Sequence, residues 1–407
     1  MATPPEEAGA GYARYTYRLR VSSTALAALS GEWERCRWVW NECCARSRKA
    51  HREGEKCGPA RLDTMLTEAR KGLEWLREGS SVPQQQLIRD FGKSRAKALK
   101  DIKARLPMRR RAGMPKYKKK NTADPSLNYT RRGFRLKSGK LCLAGGITLT
   151  VVWSRDLPAD PTSVRIYRDR LDHWYASFVV PVQVQRLPAT GNMLGIDWGV
   201  KETATTTSDL HDLPYAGHGK RAAKTLARYQ RKMARRKPSK GKAASKGYRR
   251  AARQTAKLHK KVTRQRQDTA RKWAKSVTRD HDQIAVEDFK PKFLAKSTMA
   301  RKAADAAISS TKRELINMAR KHGRIVHLVH PAHTSMDCAQ CGARTKHALP
   351  LSERTYTCTA CGTVSPRDKN SARVMLLRAG LNPAGADRAR PDGPPVHRQR
   401  EPAIPLH

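Results

Sequence analysis

The first part of the chain combines one strand pattern with a series of helical patterns. Apolar and polar residues alternate over residues 15–21, which predicts a β-strand. Ser22 can cap the helix that follows, because apolar residues recur with helical spacing over residues 25–51. The same spacing predicts two more helices, over residues 62–76 and 82–106.

Short alternating segments follow this helical region. Between residues 127 and 184 they are divided by turns rich in Pro, Asp and Gly. Several short strands at this spacing predict a small β-barrel or sandwich. The strand at 15–21 has no partner near it in the sequence, so we expect it to join this barrel, with the helices inserted between. The predicted strands cover residues 133–137, 140–143, 147–153, 163–168 and 173–182.

Two later strands each deliver a carboxylate. A short apolar strand at 193–200 carries Asp197, and the β-branched run at 203–208 is typical of a strand paired with it. Another short apolar strand, 284–286, ends at Glu287. Side chains on a strand alternate between its two faces, so either Glu287 or the adjoining Asp288 can share a site with Asp197, but not both.

The rest of the carboxy-terminal half is mixed, which makes the chain an α+β multidomain protein. A helix is predicted over residues 303–320 and a strand over 323–329. An amphipathic helix then begins near Asp368. Residues 381–407 are rich in Pro, Gly, Asp and Arg, which predicts a disordered tail. The apolar residues of the amphipathic helix that would pack on a sheet are Ala372, Met375 and Leu376.

Charge adds a partner to this picture. The 407 residues include 84 Lys and Arg against 35 Asp and Glu, a formal net charge of +49. So large a charge opposes compaction unless a polyanion neutralises it, and nucleic acid is the obvious polyanion. No apolar run is long enough to cross a bilayer, and the first residues do not resemble a secretory signal. We therefore expect a cytoplasmic protein whose partner is a nucleic acid.

The cations are concentrated in two segments. Residues 108–120 form a dense basic run, and residues 220–279 contain 24 Lys or Arg with one acidic residue, Asp268. A solvated helical surface normally mixes charges, because like charges one turn apart repel. This segment is therefore better explained as a helical hairpin over 219–281 that lies along a nucleic-acid backbone than as a solvated surface. The residues expected to contact phosphates are Arg109, Arg110, Arg111, Lys116, Lys118, Lys119, Arg231, Lys232, Arg235, Arg236, Arg249, Arg250, Lys260 and Lys261.

Four of the nine cysteines form a recognisable metal-binding pattern. They stand in two Cys-x-x-Cys pairs, each followed by Gly, and sixteen residues separate the pairs. Four thiolates at this spacing can surround Zn²⁺ tetrahedrally at about 2.3 Å, in a closed site that is structural. An iron–sulfur cluster or free thiols are the alternatives. The predicted zinc ligands are Cys338, Cys341, Cys358 and Cys361.

The three carboxylates Asp197, Glu287 and Asp368 could hold divalent ions if they converge. Two Mg²⁺ or Mn²⁺ ions about 3.5–4 Å apart could then activate water and stabilise the leaving oxygen of a phosphodiester. We expect the surrounding basic residues to favour the ionised form of these carboxylates. Taken singly, Glu287 is as well explained as the end of a strand and Asp368 as a helix N-cap.

These motifs, in their order, resemble the TnpB family of transposon-encoded RNA-guided nucleases and the compact type V CRISPR effectors derived from it. The resemblance covers residues 190–378, whereas the first half agrees in layout alone. Ser371 replaces the family's usual Ala, and Val374-Met375 replaces its usual Asn-Ile pair. The motifs that carry the likeness are Gly-Ile-Asp-Trp-Gly, the basic hairpin, Ile-Ala-Val-Glu-Asp-Phe, Thr334-Ser335, the Cys-x-x-Cys-Gly pairs and Arg-Asp-Lys-Asn-Ser-Ala.

The resemblance implies an RNase H-like (RuvC) nuclease with an inserted zinc ribbon, and a β-barrel wedge domain interrupted by a helical recognition lobe. It implies that Asp197, Glu287 and Asp368 are the catalytic, magnesium-binding residues. It also implies a bound guide RNA and double-stranded target DNA recognised beside a short motif. The implied divisions are the wedge at 1–22 and 107–190, the lobe at 23–106, the nuclease at 191–332 and 366–380, and the ribbon at 333–365.

Two other functions remain open on the sequence. One is an RNA-guided DNA-binding protein that represses or marks its target without cutting it. The other is a transposase that joins DNA ends, against which the zinc ribbon and the lack of a catalytic Tyr motif argue. The complete set of three carboxylates favours the nuclease. The oligomeric state cannot be inferred from the sequence.

Overall fold

The structure, a computed structural model, divides into two compact units. The first comprises the described residues of 1–185 and 222–263, and the second those of 186–221 and 264–381. The predicted disordered tail lies outside the described residues, apart from Leu381. The described residues are 11–120, 123–239, 241–289, 297–345, 347, 350 and 352–381. None of the helices described in these ranges is both long and apolar enough to span a membrane.

Four helices follow the first strand in the first unit. They are α1 (Ser23–Arg52), α2 (Pro59–Gly72), α3 (Glu74–Arg77) and α4 (Ser81–Lys103). The predicted cap is confirmed, because the Ser22 hydroxyl accepts a hydrogen bond of 3.2 Å from the Ala25 backbone N–H. The prediction of a single helix over 62–76 is wrong, because the segment forms the two helices α2 and α3. Leu73 adopts an extended backbone (φ −116°, ψ 100°) directly after Gly72, which separates α2 from α3.

A seven-stranded antiparallel sheet forms the rest of this unit. Strand β1 (Gly11–Arg20) pairs with β5 (Ile147–Val152) on one side and with β7 (Trp174–Val182) on the other. The predicted pairing of the first strand with the later ones is therefore confirmed. The two edge strands, β2 and β3, are joined by the short turn Arg131–Gly133, so the sheet is nearly closed. In spatial order the strands are β2 (Ser126–Thr130), β6 (Ser163–Arg168), β7 (Trp174–Val182), β1 (Gly11–Arg20), β5 (Ile147–Val152), β4 (Lys140–Leu143) and β3 (Phe134–Lys137).

One apolar core joins this sheet to the helices. Alternation along β5 buries Ile147, Leu149 and Val151 and exposes the residues between them. They pack in the same cluster as Tyr17 from β1 and Leu29 from α1. Each such side chain contributes about 1.5–3 kcal/mol by leaving water. The alternating pattern therefore specifies both the strands and the face that the helices cover.

The predicted basic hairpin is present as α5 (His218–Arg235) and α6 (Lys246–Asp280). The Thr255 hydroxyl contacts the Met233 sulfur at 3.3 Å, and the His218 ring contacts the Thr269 hydroxyl at 2.9 Å. These pairings show that the two helices run antiparallel. At 1.5 Å per residue, the 35 residues of α6 extend about 50 Å.

A five-stranded sheet organises the second unit. Its central strand β8 (Met193–Trp198) lies antiparallel to β9 (Glu202–Thr206) and parallel to β11 (Gln283–Glu287). Strand β11 is in turn parallel to β12 (Ile325–Val329). Trp198, Trp273 and Ile284 pack in the apolar core against this sheet. In spatial order the strands are β10 (Leu213–Pro214), β9 (Glu202–Thr206), β8 (Met193–Trp198), β11 (Gln283–Glu287) and β12 (Ile325–Val329).

The helix predicted over 303–320 is two helices, α7 (Ala300–Ala306) and α8 (Ile308–Lys321). Ala307 between them is left-handed, with φ 55°. The buried Asp305 carboxylate accepts hydrogen bonds from the Tyr215 hydroxyl and the Arg266 guanidinium just before the break. Tertiary contacts thus hold a backbone conformation that the residue spacing does not encode.

The last elements of this unit are a hairpin and a helix. Strands β13 (Thr355–Thr357) and β14 (Val364–Pro366) are antiparallel. Helix α9 (Arg367–Arg378) follows β14 directly, with Pro366 at its N-cap.

Candidate functional site

Asp197 and Glu287 stand side by side on neighbouring parallel strands. Ile196 of β8 pairs with Val286 of β11, so the next residue of each strand, Asp197 and Glu287, occupies an equivalent position. Paired strands lie about 4.8 Å apart, and equivalent positions of parallel strands face the same side of the sheet. The indole N–H of Trp198 also donates to the Glu287 backbone carbonyl at 3.2 Å. The two carboxylates therefore meet at the ends of the central strands.

Helix α9 brings Asp368 to the same place. Ala372, Met375 and Leu376 are buried, as predicted for a helix packed on a sheet. The approach is closest at Gly195 of β8, where a Cβ atom would lie 2.0 Å from the Ala372 carbonyl oxygen. Asp368 is in the first turn of this helix, one turn before Ala372.

The charges of Glu287 and Asp368 both act on Asp197. Burial, and then the charges of Glu287 and Asp368, raise the pKa of Asp197 well above its usual value, while Arg367 acts in the opposite direction. Burial likewise raises the pKa of Glu287 to about 7, against the Trp198 backbone N–H and the Lys312 ammonium, which lower it. The expectation that basic residues favour the ionised carboxylates agrees with the effects of Arg367 and Lys312, but burial acts in the opposite direction and is the larger effect.

The neighbouring Asp288 has a different environment. Its carboxylate accepts a hydrogen bond of 2.9 Å from the ammonium of Lys312 on α8. Alternation along the strand thus gives Glu287, rather than Asp288, to the position beside Asp197.

The donor set at this site fits a hard divalent cation. Carboxylate oxygens are the ligands that Mg²⁺ and Mn²⁺ prefer. Burial raises the pKa of both Asp197 and Glu287, and the charges of Glu287 and Asp368 add to the effect on Asp197, so a bound cation would offset the cost of ionising them.

The four cysteines form a second, more compact donor group. All four sulfurs lie within 4.8 Å of one another, and no other group of this compactness is found among the described residues. Cys338 and Cys361 sulfurs are 3.8 Å apart, and those of Cys341 and Cys358 are 3.6 Å apart. Tetrahedral Zn–S bonds of about 2.3 Å require sulfurs about 3.8 Å apart. The geometry fits zinc.

The glycines after each pair complete the two turns. Gly342 and Gly362 are left-handed, with φ 77° and 71°. Each turns the chain back, so that its N–H donates to the carbonyl of Cys338 or Cys358, at 2.9 and 3.0 Å. The Gln340 N–H lies 3.3 Å from the Cys338 sulfur. A backbone amide therefore faces a cysteine sulfur in this turn.

We expect Cys358→Ser to unfold this region and to abolish stoichiometric zinc binding. Among the described residues, the apolar cluster here consists of the buried Cys338, Tyr356 and Cys358 with the partly buried Ala343, so we expect the bound ion to supply most of the folding free energy. Elemental analysis measures the bound zinc, and limited proteolysis reports the unfolding. A matched Cys142→Ser variant, altered at a cysteine of the seven-stranded sheet, should retain zinc. Full zinc occupancy in Cys358→Ser would contradict the four-cysteine site.

The fourteen basic residues expected to contact phosphates all lie in the first unit. Eleven of them are exposed, and the other three, Arg111, Lys118 and Lys260, are half-buried. The exposed residues are Arg109, Arg110, Lys116, Lys119, Arg231, Lys232, Arg235, Arg236, Arg249, Arg250 and Lys261.

The half-buried cations have partners within the unit. The Lys118 ammonium lies 4.2 Å from the centre of the Trp40 ring, and burial lowers its pKa. The Lys260 ammonium donates to the Asp169 carboxylate and to the Tyr175 hydroxyl. These interactions explain both side chains by folding, without a nucleic-acid partner.

The sequence interpretation missed Lys369 and Asn370, which follow Asp368. The Lys369 ammonium donates to the Thr206 carbonyl at 2.9 Å and to the Asp212 carboxylate at 2.8 Å. Asn370 is buried and bonds to the backbone around Cys338. Their place in the Arg-Asp-Lys-Asn-Ser-Ala motif was visible, but their long-range partners were not.

Comparison with known proteins places the chain in a family. Residues 177–298 match a family model described as a probable transposase (OrfB_IS605), and residues 309–375 match the Cas12f1-like TNB domain. A putative RNA-guided DNA endonuclease of Streptomyces pristinaespiralis is 31% identical over 375 residues, covering 90% of this chain and 89% of the relative. The putative RNA-guided DNA endonuclease InsQ of Escherichia coli K12 is 27% identical, covering 84% and 86%.

A solved structure shares the fold. Cas12f1, determined in a complex with sgRNA and target DNA, aligns with a TM-score of 0.54 at 11% identity, covering 90% of this chain and 98% of Cas12f1. The motifs around Asp197, Glu287 and the cysteine pairs lie within the regions that the two family models match. The chain belongs to the TnpB family, the transposon-encoded group to which the compact type V CRISPR effectors are related.

Proposed function

We propose that this protein is an RNA-guided DNA endonuclease. In this proposal a bound guide RNA pairs with one strand of a DNA duplex beside a short motif, and the DNA is cleaved by metal-dependent hydrolysis of phosphodiester bonds. The observation that carries the proposal is the convergence of Asp197, Glu287 and Asp368 at the ends of the central strands. The names of the two bacterial relatives support the same activity.

The domain organisation follows from the same proposal. The seven-stranded sheet would be the wedge barrel, and helices α1 to α4 the recognition lobe inserted between its strands. The five-stranded sheet with α9 would be the RuvC-like nuclease, and the four-cysteine region its zinc ribbon. The division of labour is the one expected of RNA-guided proteins, in which base pairing reads the sequence and the protein reads the adjacent motif and the duplex shape.

Each part of the catalytic site has a role in this proposal. Asp197 holds the central position, because it interacts with both other carboxylates, and Glu287 and Asp368 flank it. When bound, Mg²⁺ or Mn²⁺ would supply an activated water and charge stabilisation for the leaving oxygen. Glu287 is buried and Asp197 is half-buried, which lowers the effective dielectric constant around them and strengthens their attraction for a cation. Lys369 holds the Asp368 turn against β9, the partner strand of β8.

Nucleic-acid binding would rely on the eleven exposed basic residues. Side chains on the antiparallel helices α5 and α6 and on the 109–119 segment can follow a phosphate backbone without reading bases. Lys118 and Lys260 are better assigned to folding, for the reasons given above.

We expect the purified protein, with the RNA that co-purifies with it, to cut matching duplex DNA only when Mg²⁺ or Mn²⁺ is present. Sequencing of the co-purified RNA identifies the guide, and a DNA library with a randomised segment beside the matching sequence identifies the adjacent motif. Gel electrophoresis then measures cleavage with and without EDTA.

A mismatched DNA of equal length is the control, since it should remain intact. Stable binding of matching DNA without cleavage, under these conditions, would replace the nuclease proposal by a binding-only function. Joined rather than cut products would instead indicate a transposase.

A further inference from the structure

Three consecutive side chains in the first turn of α9 interact with three different parts of the second unit. Asp368 interacts with Asp197 on β8. The Lys369 ammonium bonds to β9 and to the turn after it. Asn370 bonds to the first cysteine turn. This turn is therefore the place where the carboxylate site and the cysteine site are joined.

Asn370 makes two hydrogen bonds that enclose Cys338. Its side-chain Nδ2 donates to the Asp337 carbonyl at 2.7 Å, and its Oδ1 accepts from the Ala339 N–H at 3.0 Å. The Asn370 side chain is 2% exposed, so water cannot easily replace either partner. A buried amide left without its hydrogen-bond partners is destabilising. Asn370 therefore favours one position of the first cysteine turn relative to α9.

The second cysteine turn is connected to α9 through the chain itself. Cys358 and Cys361 lie between β13 and β14, and β14 runs into α9 at Pro366. The Arg367 N–H donates to the Arg354 carbonyl at 2.8 Å, which fixes this junction. Both cysteine turns thus meet at the turn that carries Asp368.

The far end of α9 is tied to the same region. The Arg378 guanidinium donates to the Ala332 carbonyl at 2.6 Å and to the His330 carbonyl at 3.2 Å. It also bonds to the Asp337 carboxylate. Asp337 therefore contacts α9 at both ends, through its backbone to Asn370 and through its side chain to Arg378.

The cysteine region cannot hold these positions by apolar packing alone. Its buried cluster is small, consisting of Cys338, Tyr356 and Cys358. In such a site most of the ordering free energy comes from the bound ion. The positions of Asp337 and Ala339, and hence the bonds to Asn370, should then depend on zinc.

We propose that Asn370 is a positioning residue through which the four-cysteine site is coupled to the carboxylate site. Zinc bound by the four cysteines would order the turn around Cys338. Through its two hydrogen bonds to that turn, Asn370 then fixes the first turn of α9, which keeps Asp368 where it can act with Asp197. The inference rests on the proposed function, in which Asp368 holds a divalent ion. Because coupling between two sites is reciprocal, a divalent ion at the carboxylates should also strengthen zinc binding.

The test measures Mn²⁺ affinity, with no nucleic acid present, by the loss of the free Mn²⁺ electron paramagnetic resonance signal. Full-length wild-type and Asn370→Ala proteins are titrated in zinc-loaded form and after zinc removal under reducing conditions. We expect zinc removal to weaken Mn²⁺ binding by wild type about tenfold, within the usual range of coupling between sites. Zinc-loaded Asn370→Ala should bind Mn²⁺ as weakly as zinc-free wild type, and zinc removal should not weaken it further.

Asn128→Ala is the matched control. Asn128 also donates one side-chain hydrogen bond and accepts one, but its partners are Asp90 and Arg165 in the first unit. It should show the same tenfold zinc dependence as wild type. If Asn370→Ala does not fold, Asn370→Asp replaces it, since an aspartate can still accept from Ala339 but cannot donate to Asp337.

Two results would overturn the coupling: Mn²⁺ affinity of wild type that does not depend on zinc, or an Asn370 variant that depends on zinc as wild type does. Failure of the proposed function is recognised separately. Zinc-loaded Asp197→Ala should lose Mn²⁺ binding, and unchanged binding by that variant would show that the carboxylates are not the Mn²⁺ site, whatever the zinc dependence.

Discussion

Asp197→Ala is expected to lower the rate of DNA cleavage by about a thousandfold or more and to leave RNA binding unchanged. Asp197 is the carboxylate that interacts with both others, so its loss removes the centre of the metal site. Metal ions contribute several kcal/mol to transition-state stabilisation, and each 1.4 kcal/mol corresponds to about a tenfold change in rate. Single-turnover cleavage of matching DNA measures the rate, and filter binding measures RNA affinity.

Glu202→Ala is the control for this substitution. Glu202 is an exposed carboxylate on β9, next to the strand of Asp197, and takes no part in the site. It should cleave at the wild-type rate. Cleavage by Asp197→Ala within about tenfold of wild type would show that catalysis occurs elsewhere.

Gly195→Ala is expected to reduce the free energy of unfolding of the second unit by about 1–3 kcal/mol or more. The added Cβ would lie 2.0 Å from the Ala372 carbonyl oxygen and 3.0 Å from Leu376 Cγ. The first of these atoms belongs to the helix backbone, so the contact can be relieved only if α9 moves away from β8. Asp368 moves with it, and cleavage should fall as well. Urea denaturation followed by Trp fluorescence measures the stability.

Gly11→Ala provides the comparison, since Gly11 is also a strand residue but nothing lies within 4 Å of its added Cβ. Its stability should change by less than about 0.5 kcal/mol, as for most surface substitutions. Wild-type stability in Gly195→Ala would mean that α9 does not approach β8 through the glycine.

The sequence predicted what short-range patterns determine. Alternation located six strands of the seven-stranded sheet to within a few residues, because strands such as β5 and β6 bury one face, but it did not locate β2. The two Cys-x-x-Cys-Gly pairs predicted a group of four sulfurs, and the structure brings them together. The meeting of Asp197, Glu287 and Asp368 was implied by the family resemblance rather than by spacing, since residues so far apart meet only through the fold.

What the sequence could not predict depends on contacts between distant residues. The break at Ala307 accompanies the hydrogen bonds of Asp305, and no local signal marks it. Lys118 and Lys260 look like phosphate ligands in a basic run, yet Trp40 and Asp169 engage them. Burial also raises the pKa of Asp197 by more than the nearby Arg367 lowers it, and that balance depends on the fold rather than on the local sequence.

The place of β1 in the sheet has a consequence for synthesis of the chain. The Thr16 hydroxyl bonds to the Ser177 hydroxyl, 161 residues later. At about 5–20 residues per second, β1 leaves the ribosome roughly 10–30 s before β7 is made. Both of its hydrogen-bonding edges are open until β5 is made, and the edge that pairs with β7 stays open longer, which makes the nascent chain prone to aggregation. The helices encoded in between can form by local contacts during that interval, so the slowest step of folding should be the late capture of the first strand.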